Sequence, residues 1–186
     1  MNTTIITIVV VVVLMVIAGA LLAPVFARRK RSEKYQNKYG AEYDRTVETT
    51  GSEKKAQAEL AERQKHVDSL NIRPLSTEER DRYLAEWTAV QSKFVDEPAE
   101  ATVEADHLIM EVMNVRDYPV SDFEERAADI SVSYPKLVTN YRAARAIAIK
   151  NEQHQADTEE LRQAFIYYRS LFDELLITET VAPEKK

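Results

Sequence analysis

The hydrophobic pattern divides the chain into one unbroken apolar run and a long series of short amphipathic segments. Residues 5–26 contain no charged side chain. At 1.5 Å per residue, a helix of about 22 residues spans roughly 33 Å, which is enough to cross the hydrocarbon core of a bilayer. Because a helix satisfies its own backbone hydrogen bonds in lipid, this run predicts a transmembrane helix over 5–27.

The residues that follow the apolar run predict its orientation. Arg28, Arg29, Lys30 and Arg31 come directly after it, and an excess of positive charge marks the cytoplasmic side of a membrane helix. We therefore expect residues 1–4 outside the cell membrane and these four side chains in contact with lipid headgroups. A cleaved signal peptide is the alternative, although it requires positive charge before a core of about 7–15 residues.

Beyond the basic cluster, apolar residues recur every three or four positions, as is typical of amphipathic helices. The clearest stripes consist of Tyr83, Leu84, Trp87, Val90 and Phe94, and of Leu161, Ala164, Phe165, Tyr168, Leu171, Phe172 and Leu175. No stretch alternates convincingly with the period of two that a strand would show. The predicted fold is all-α, with an N-terminal transmembrane helix followed by an irregular soluble helical bundle.

Capping signals mark where the predicted helices begin. Three box-like pairs precede amphipathic stretches, namely Ser76 with Glu79, Ser121 with Glu124, and Asp157 with Glu160. Pro98 suits the first turn of another helix, since its missing N–H has no intrahelical role there.

The same signals divide the chain beyond the predicted membrane helix into three parts. We expect a basic and tyrosine-rich juxtamembrane segment over 28–52, a helical domain over 53–177, and a disordered tail over 178–186.

Composition excludes several classes of function. The chain has 31 acidic and 25 basic residues, and four of the basic ones lie in the cluster at 28–31. The remainder is strongly acidic, which argues against binding to nucleic acid. There is no cysteine, so disulfides, thiolate nucleophiles and cysteine-based metal sites are impossible.

One short sequence pattern is a candidate for a metal-binding site. Glu104, His107 and Glu111 contain an E-x-x-H step, which in ferritin-like bundles places a carboxylate and an imidazole on one helix face. Such sites need a second motif on a facing helix, and neither of the other two histidines has a glutamate three residues earlier. A solvated helix face is therefore the favoured interpretation, and we expect no cofactor.

No motif for catalysis stands out in the chain. The serines lack a glycine-rich elbow, and no glycine-rich loop is present to hold phosphate. We therefore expect no catalysis. A buried carboxylate–histidine or arginine–tyrosine cluster facing a pocket would favour an enzyme.

Two patterns suggest surfaces for a protein partner. Tyr35, Tyr39 and Tyr43 are spaced by four residues and therefore share one helix face. Leu60 and Val67 are spaced by seven on the next predicted helix, as in a coiled-coil seam. For the tyrosines, the alternative is packing against the rest of the domain or a place near the membrane interface. For the helix that contains Leu60 and Val67, the alternative is a rigid arm between the membrane and the domain.

The soluble part also resembles a known group of proteins. The stretch YGAEYDRTVETTGSEKKAQAELAERQKHVDSL, the stretch FVDEPAEATVEADHLIMEVMNVRDYPVSDFEERAADISVSYPKLVTNYRAARAIA and the stretch TEELRQAFIYYRSLFDELL resemble bacterial single-pass, membrane-anchored or secreted helical proteins. The resemblance covers roughly residues 38–176. It implies a bacterial, membrane-associated helical protein and assigns no residue roles.

Together these features predict an adaptor or scaffold at the bacterial inner membrane. A single N-terminal helix would hold it in the membrane, and an acidic helical domain in the cytoplasm would act through contacts with a protein partner. Homo-oligomerisation stays open. The alternative is a helical bundle that binds a ligand or a metal and is exported.

Overall fold

The computed structural model describes Met15, Phe26 and residues 28–177 of the chain. Within that part the secondary structure consists of eight helices and no strand, which confirms the all-α prediction. The segment expected to cross the membrane, 5–27, lies outside the described residues except for Met15 and Phe26, and the expected disordered tail, 178–186, lies outside them too. No helix that the structure describes is long and apolar enough to cross a membrane.

The helices are short to moderate in length and are joined by brief connections. In chain order they are α1 (28–39), α2 (Ala41–Thr50), α3 (Glu53–Ser69), α4 (Thr77–Lys93), α5 (Pro98–Val115), α6 (Phe123–Ser133), α7 (Val138–Glu152) and α8 (Thr158–Leu175).

The chain consists of two compact units, with the boundary between Gln57 and Ala58. In the first unit, α1 and α2 each end at a glycine with positive φ, Gly40 at 54° and Gly51 at 70°. Glycine has no Cβ, so it enters this left-handed region at little cost and allows the chain to turn. Across the first of these turns, the hydroxyl of Tyr43 lies 3.0 Å from the hydroxyl of Ser32.

The predicted helix starts are confirmed at two of the three capping boxes. Ser76 and Asp157 each accept a hydrogen bond from the backbone N–H three residues later, and the glutamates at those positions bond back. The prediction for Ser121 is wrong by one residue. Asp122 has the extended backbone of an N-cap, and its carboxylate accepts from the Glu125 N–H at 3.0 Å. Ser121 instead contacts the Glu125 side chain.

The second unit is organised around α5, which packs against α4, α7 and α8. The end of α4 lies beside the first half of α5, because Lys93 Nζ donates to Glu104 at 2.6 Å. The end of α7 lies beside the start of α5, where Asn151 Nδ2 donates to the Ala99 carbonyl at 2.9 Å. Lys150, also near the end of α7, pairs with Glu160 at the start of α8. Thus α5 and α8 run parallel, and α4 and α7 run antiparallel to them.

Aromatic side chains fill the space between α4 and α8. Trp87 is fully buried, as its place in the predicted stripe implies. Its ring centroid lies 4.5 Å from that of Phe172 and 5.1 Å from that of Phe165, distances at which aromatic pairs contribute beyond their buried area. These contacts connect two helices that are otherwise held together through α5.

A buried arginine joins four chain segments at the end of the second unit where α5 and α8 finish. Arg116, just after α5, is only 3% exposed. Its Nε donates to the Arg73 carbonyl at 3.1 Å, and its Nη1 donates to the Leu175 carbonyl at 2.9 Å and to the Tyr134 hydroxyl at 3.1 Å. The Leu175 carbonyl lies at the negative end of the α8 dipole, which favours a cation there.

Arg116→Lys is expected to lower the free energy of unfolding by about 2 kcal/mol. An ammonium at the end of a lysine stem cannot reach all three acceptors, and each buried acceptor left without a donor costs about 1–3 kcal/mol. Urea denaturation of the full chain in non-ionic detergent measures this difference.

Arg80→Lys serves as the control, because Arg80 is exposed on α4. A surface substitution of this kind should change stability by less than about 0.5 kcal/mol. If Arg116→Lys is as stable as this control, the buried arginine does not hold the segments together.

Candidate functional site

An open groove runs between α4 and α8 and has a volume of about 590 Å³. Its α4 side consists of Trp87, Gln91 and Phe94, and its α8 side consists of Arg162, Phe165, Ile166, Arg169 and Ser170. The two sets follow the helical repeat on antiparallel helices, so they face each other along the groove.

The floor of the groove is aromatic. Phe94 and Phe165 meet with ring centroids 4.7 Å apart, and Trp87 lies beside Phe165. The indole N–H of Trp87 is buried and has no acceptor among the described residues. On the α8 side, Ile166 is 42% exposed. An aromatic floor with an exposed aliphatic side chain is typical of a surface that buries an apolar partner.

Two arginines supply the charge of the groove. The Arg169 guanidinium lies over the Trp87 ring, 5.4 Å from its centroid, within the range of a cation–π contact. Arg169 Nε also donates to Asp173 at 2.8 Å, and Arg162 Nε donates to Glu159 at 2.7 Å. Exposed ion pairs within one helix contribute little, so these guanidinium groups can exchange their partners at small cost.

A second feature, a cluster of buried polar groups, lies among α5, α6, α7 and α8. Asp106 on α5 is only 6% exposed, and its Oδ1 has no hydrogen-bond partner in the part of the chain that the structure describes. Burial raises the pKa of Asp106, and the charges of Arg145 and Arg126 partly offset this effect. Arg126 Nε donates to the Tyr141 hydroxyl at 3.3 Å. These groups form one polar contact within the interior of the second unit.

The tyrosines of this cluster stay protonated at neutral pH. Burial raises the pKa of Tyr168, and the Asp106 charge raises it further. Burial and then the Asp106 charge raise the pKa of Tyr141 as well. The α4–α8 groove includes none of these residues. The cluster therefore does not face this groove. A buried cluster that faced a pocket would have favoured an enzyme.

The three residues considered as candidates for a metal site, Glu104, His107 and Glu111, are not gathered around one point in the structure. Glu104 is bonded to Lys93, which also lies 2.9 Å from Glu100 and 3.4 Å from Glu97. His107 and Glu111 are exposed on α5. Among the residues that the structure describes, no group of three or more His, Asp or Glu side chains is placed to hold a metal ion.

The residues expected to contact a protein partner are mostly covered. Tyr35 is half-buried, and Tyr39, Tyr43, Leu60 and Val67 are buried. Burial favours the packing alternative for Tyr39 and Tyr43, while a role in partner contact stays a prediction for all five residues.

The four basic residues expected to contact lipid lie in the described part of α1. Arg28, Arg29, Lys30 and Arg31 are exposed, and Arg29 lies 3.6 Å from Glu33. Their contact with lipid headgroups also stays a prediction.

Sequence reasoning missed the buried polar residues. Asp106 and Thr102 are four residues apart and lie beside Ala105 and Ile109 on the buried face of α5. Extending the apolar stripe to every residue on that face, polar ones included, could have found Asp106. Arg116 lies just after a helix end, and Arg126 lies beside Ala127 on the buried part of a short helix. A charged residue in the sequence predicts exposure at both positions.

Asp106→Asn is expected to stabilise the chain at neutral pH. Because the pKa of Asp106 is raised, the folded chain holds the proton more tightly than the unfolded chain does. The resulting stability is fully present below the usual pKa of 3.8 and is lost as pH rises through the raised value. Asparagine does not ionise, so the variant does not lose this stability as pH rises. Its free energy of unfolding should therefore exceed that of the wild type by an amount that grows from acidic to neutral pH.

Chemical denaturation across this pH range measures the effect, with the exposed Asp81→Asn as the control. An advantage that stays constant with pH would show that folding does not shift the pKa of Asp106. A variant that is less stable than the wild type at pH 7 would show that the Asp106 carboxylate is favourably ionised in the fold.

Comparison of the chain with protein-family models, with curated proteins and with solved structures finds no match. Kinship with membrane-anchored or secreted bacterial helical proteins therefore stays a prediction. Function is inferred from the sequence and from the geometry of the described residues.

Proposed function

We propose that this protein is a membrane-anchored adaptor of the bacterial inner membrane that binds a protein partner through the α4–α8 groove. In this proposal the apolar run at 5–26 holds the chain in the membrane, and the domain that follows faces the cytoplasm. The protein belongs, on this proposal, with the membrane-anchored bacterial helical proteins that its sequence resembles.

The observation that carries the proposal is the composition of the groove. It offers aromatic and aliphatic side chains to solvent, and such surfaces commonly receive an apolar helix face from a partner. The uncharged run and the basic cluster after it support membrane anchoring and the cytoplasmic orientation.

A small ligand is the second candidate occupant. The groove volume of about 590 Å³ is within the usual range for small-molecule sites. Such sites enclose most of their ligand, whereas this groove is open along one side. Openness favours an occupant that presents one face to the groove, as a helix does.

Labelling of neighbours in living cells tests the proposal. An ATP-dependent biotin ligase fused after Lys186 should label cytoplasmic proteins. Ile166→Glu should remove a subset of them, because it places a charge where the partner buries apolar surface. Ile149→Glu is a matched control, since Ile149 on α7 is also 42% exposed but lies outside the groove.

Three outcomes would contradict parts of the proposal. An expressed fusion that labels nothing, and that protease cuts in spheroplasts, would place the domain outside the cytoplasm. The same neighbours with wild type and with Ile166→Glu would show that the groove is not the contact surface. Equal losses with both isoleucine variants would point to a general effect of the added charge.

A further inference from the structure

The charge of the groove contrasts with the charge of the chain. The whole chain carries a net charge of −6, yet the residues that line the groove include two arginines and no acidic residue. Glu159 and Asp173, the carboxylates paired with these arginines, lie beyond the two ends of the lining segment on α8. A partner with carboxylates would therefore meet local charge complementarity at the groove, although the chain as a whole is acidic.

The spacing of the two arginines is that of two helical turns. Arg162 and Arg169 are seven residues apart, so they are separated by roughly 10.5 Å along α8. Phe165 and Ile166 lie between them and contribute to the apolar part of the groove. A helix lying along the groove would match this pattern with acidic residues at i and i+7 and apolar residues at i+3 and i+4.

We propose that the groove binds an acidic amphipathic helix of a partner protein, with carboxylates that engage Arg162 and Arg169 and apolar side chains that cover Phe165 and Ile166. This inference rests on the proposed function and names its partner class. Incoming carboxylates exchange with Glu159 and Asp173, whose exposed pairs with the arginines are weak.

Trp87 provides a direct readout of binding. It is the only tryptophan in the chain, and the Arg169 guanidinium lies over its ring. Movement of Arg169 towards an incoming carboxylate therefore changes the surroundings of the indole. The emission of the full chain in non-ionic detergent reports on the groove without an added label.

The test uses synthetic alanine-rich helical peptides of about 20 residues without tryptophan, a length at which such helices form in water. One peptide carries Glu at i and i+7 and Leu at i+3 and i+4. A second replaces both Glu with Lys, a third replaces them with Gln, and a fourth replaces both Leu with Ala. Anisotropy of the dye-labelled peptides gives the dissociation constants, and Trp87 emission locates the binding.

We expect the Glu peptide to bind about tenfold more tightly than the Lys peptide. Its affinity should fall as salt is added, because salt screens exposed charge pairs. Replacing the leucines with alanine should weaken binding further. The double variant Arg162→Gln/Arg169→Gln should lose roughly tenfold in affinity for the Glu peptide. The control Arg80→Gln/Lys136→Gln removes the same charge from exposed positions outside the groove and should bind as the wild type does.

Equal affinity for the Glu, Gln and Lys peptides would overturn the acidic class. So would an equal loss in the two double variants, because net charge rather than the groove would then explain the preference. Binding of no peptide would overturn the inference too. If Ile166→Glu still loses cellular neighbours in any of these cases, the groove remains a protein contact surface and only the partner class is wrong.

Discussion

The buried guanidinium of Arg116 is the constraint on which the second unit depends. Its three acceptors belong to Arg73, Tyr134 and Leu175, which lie far apart in sequence and whose neighbours also share the apolar core. A buried cation is costly unless its donors are satisfied, so these segments must come together for the chain to fold with Arg116 inside. Arg73 strengthens the junction, because its backbone N–H donates to the Arg116 carbonyl at 3.2 Å.

This constraint also leads to the groove. With the ends of α5 and α8 held at one point, the two helices run side by side, while α4 packs on another face of α5. Trp87 and its neighbouring rings bridge α4 and α8 beneath the surface, and among the described residues of the second unit the groove above them is open. The aromatic floor and the two arginines thus remain at an open surface, as a protein contact site requires.

The sequence was most informative where apolar periodicity alone decides the structure. The stripes of α4 and α8 predicted their buried faces, including Trp87 and Phe172, and capping chemistry located the starts of both helices. It was least informative for polar residues, because a charged side chain in a sequence predicts exposure unless its partners are known. Arg116 and Asp106 are buried through contacts that form only in the folded chain. The groove likewise arises from the relative placement of α4 and α8, since residues such as Phe165 belong to an ordinary amphipathic stripe.

Site-specific photo-crosslinking in living cells tests the central claim most directly. A photoreactive residue at Gln91 would lie in the groove, and the same residue at Ile149 would lie on α7, outside the groove lining. We expect a discrete protein adduct from position 91 that is absent from position 149 and disappears with Ile166→Glu. No adduct at position 91, or the same adducts from both positions, would contradict the claim that this groove receives a protein partner.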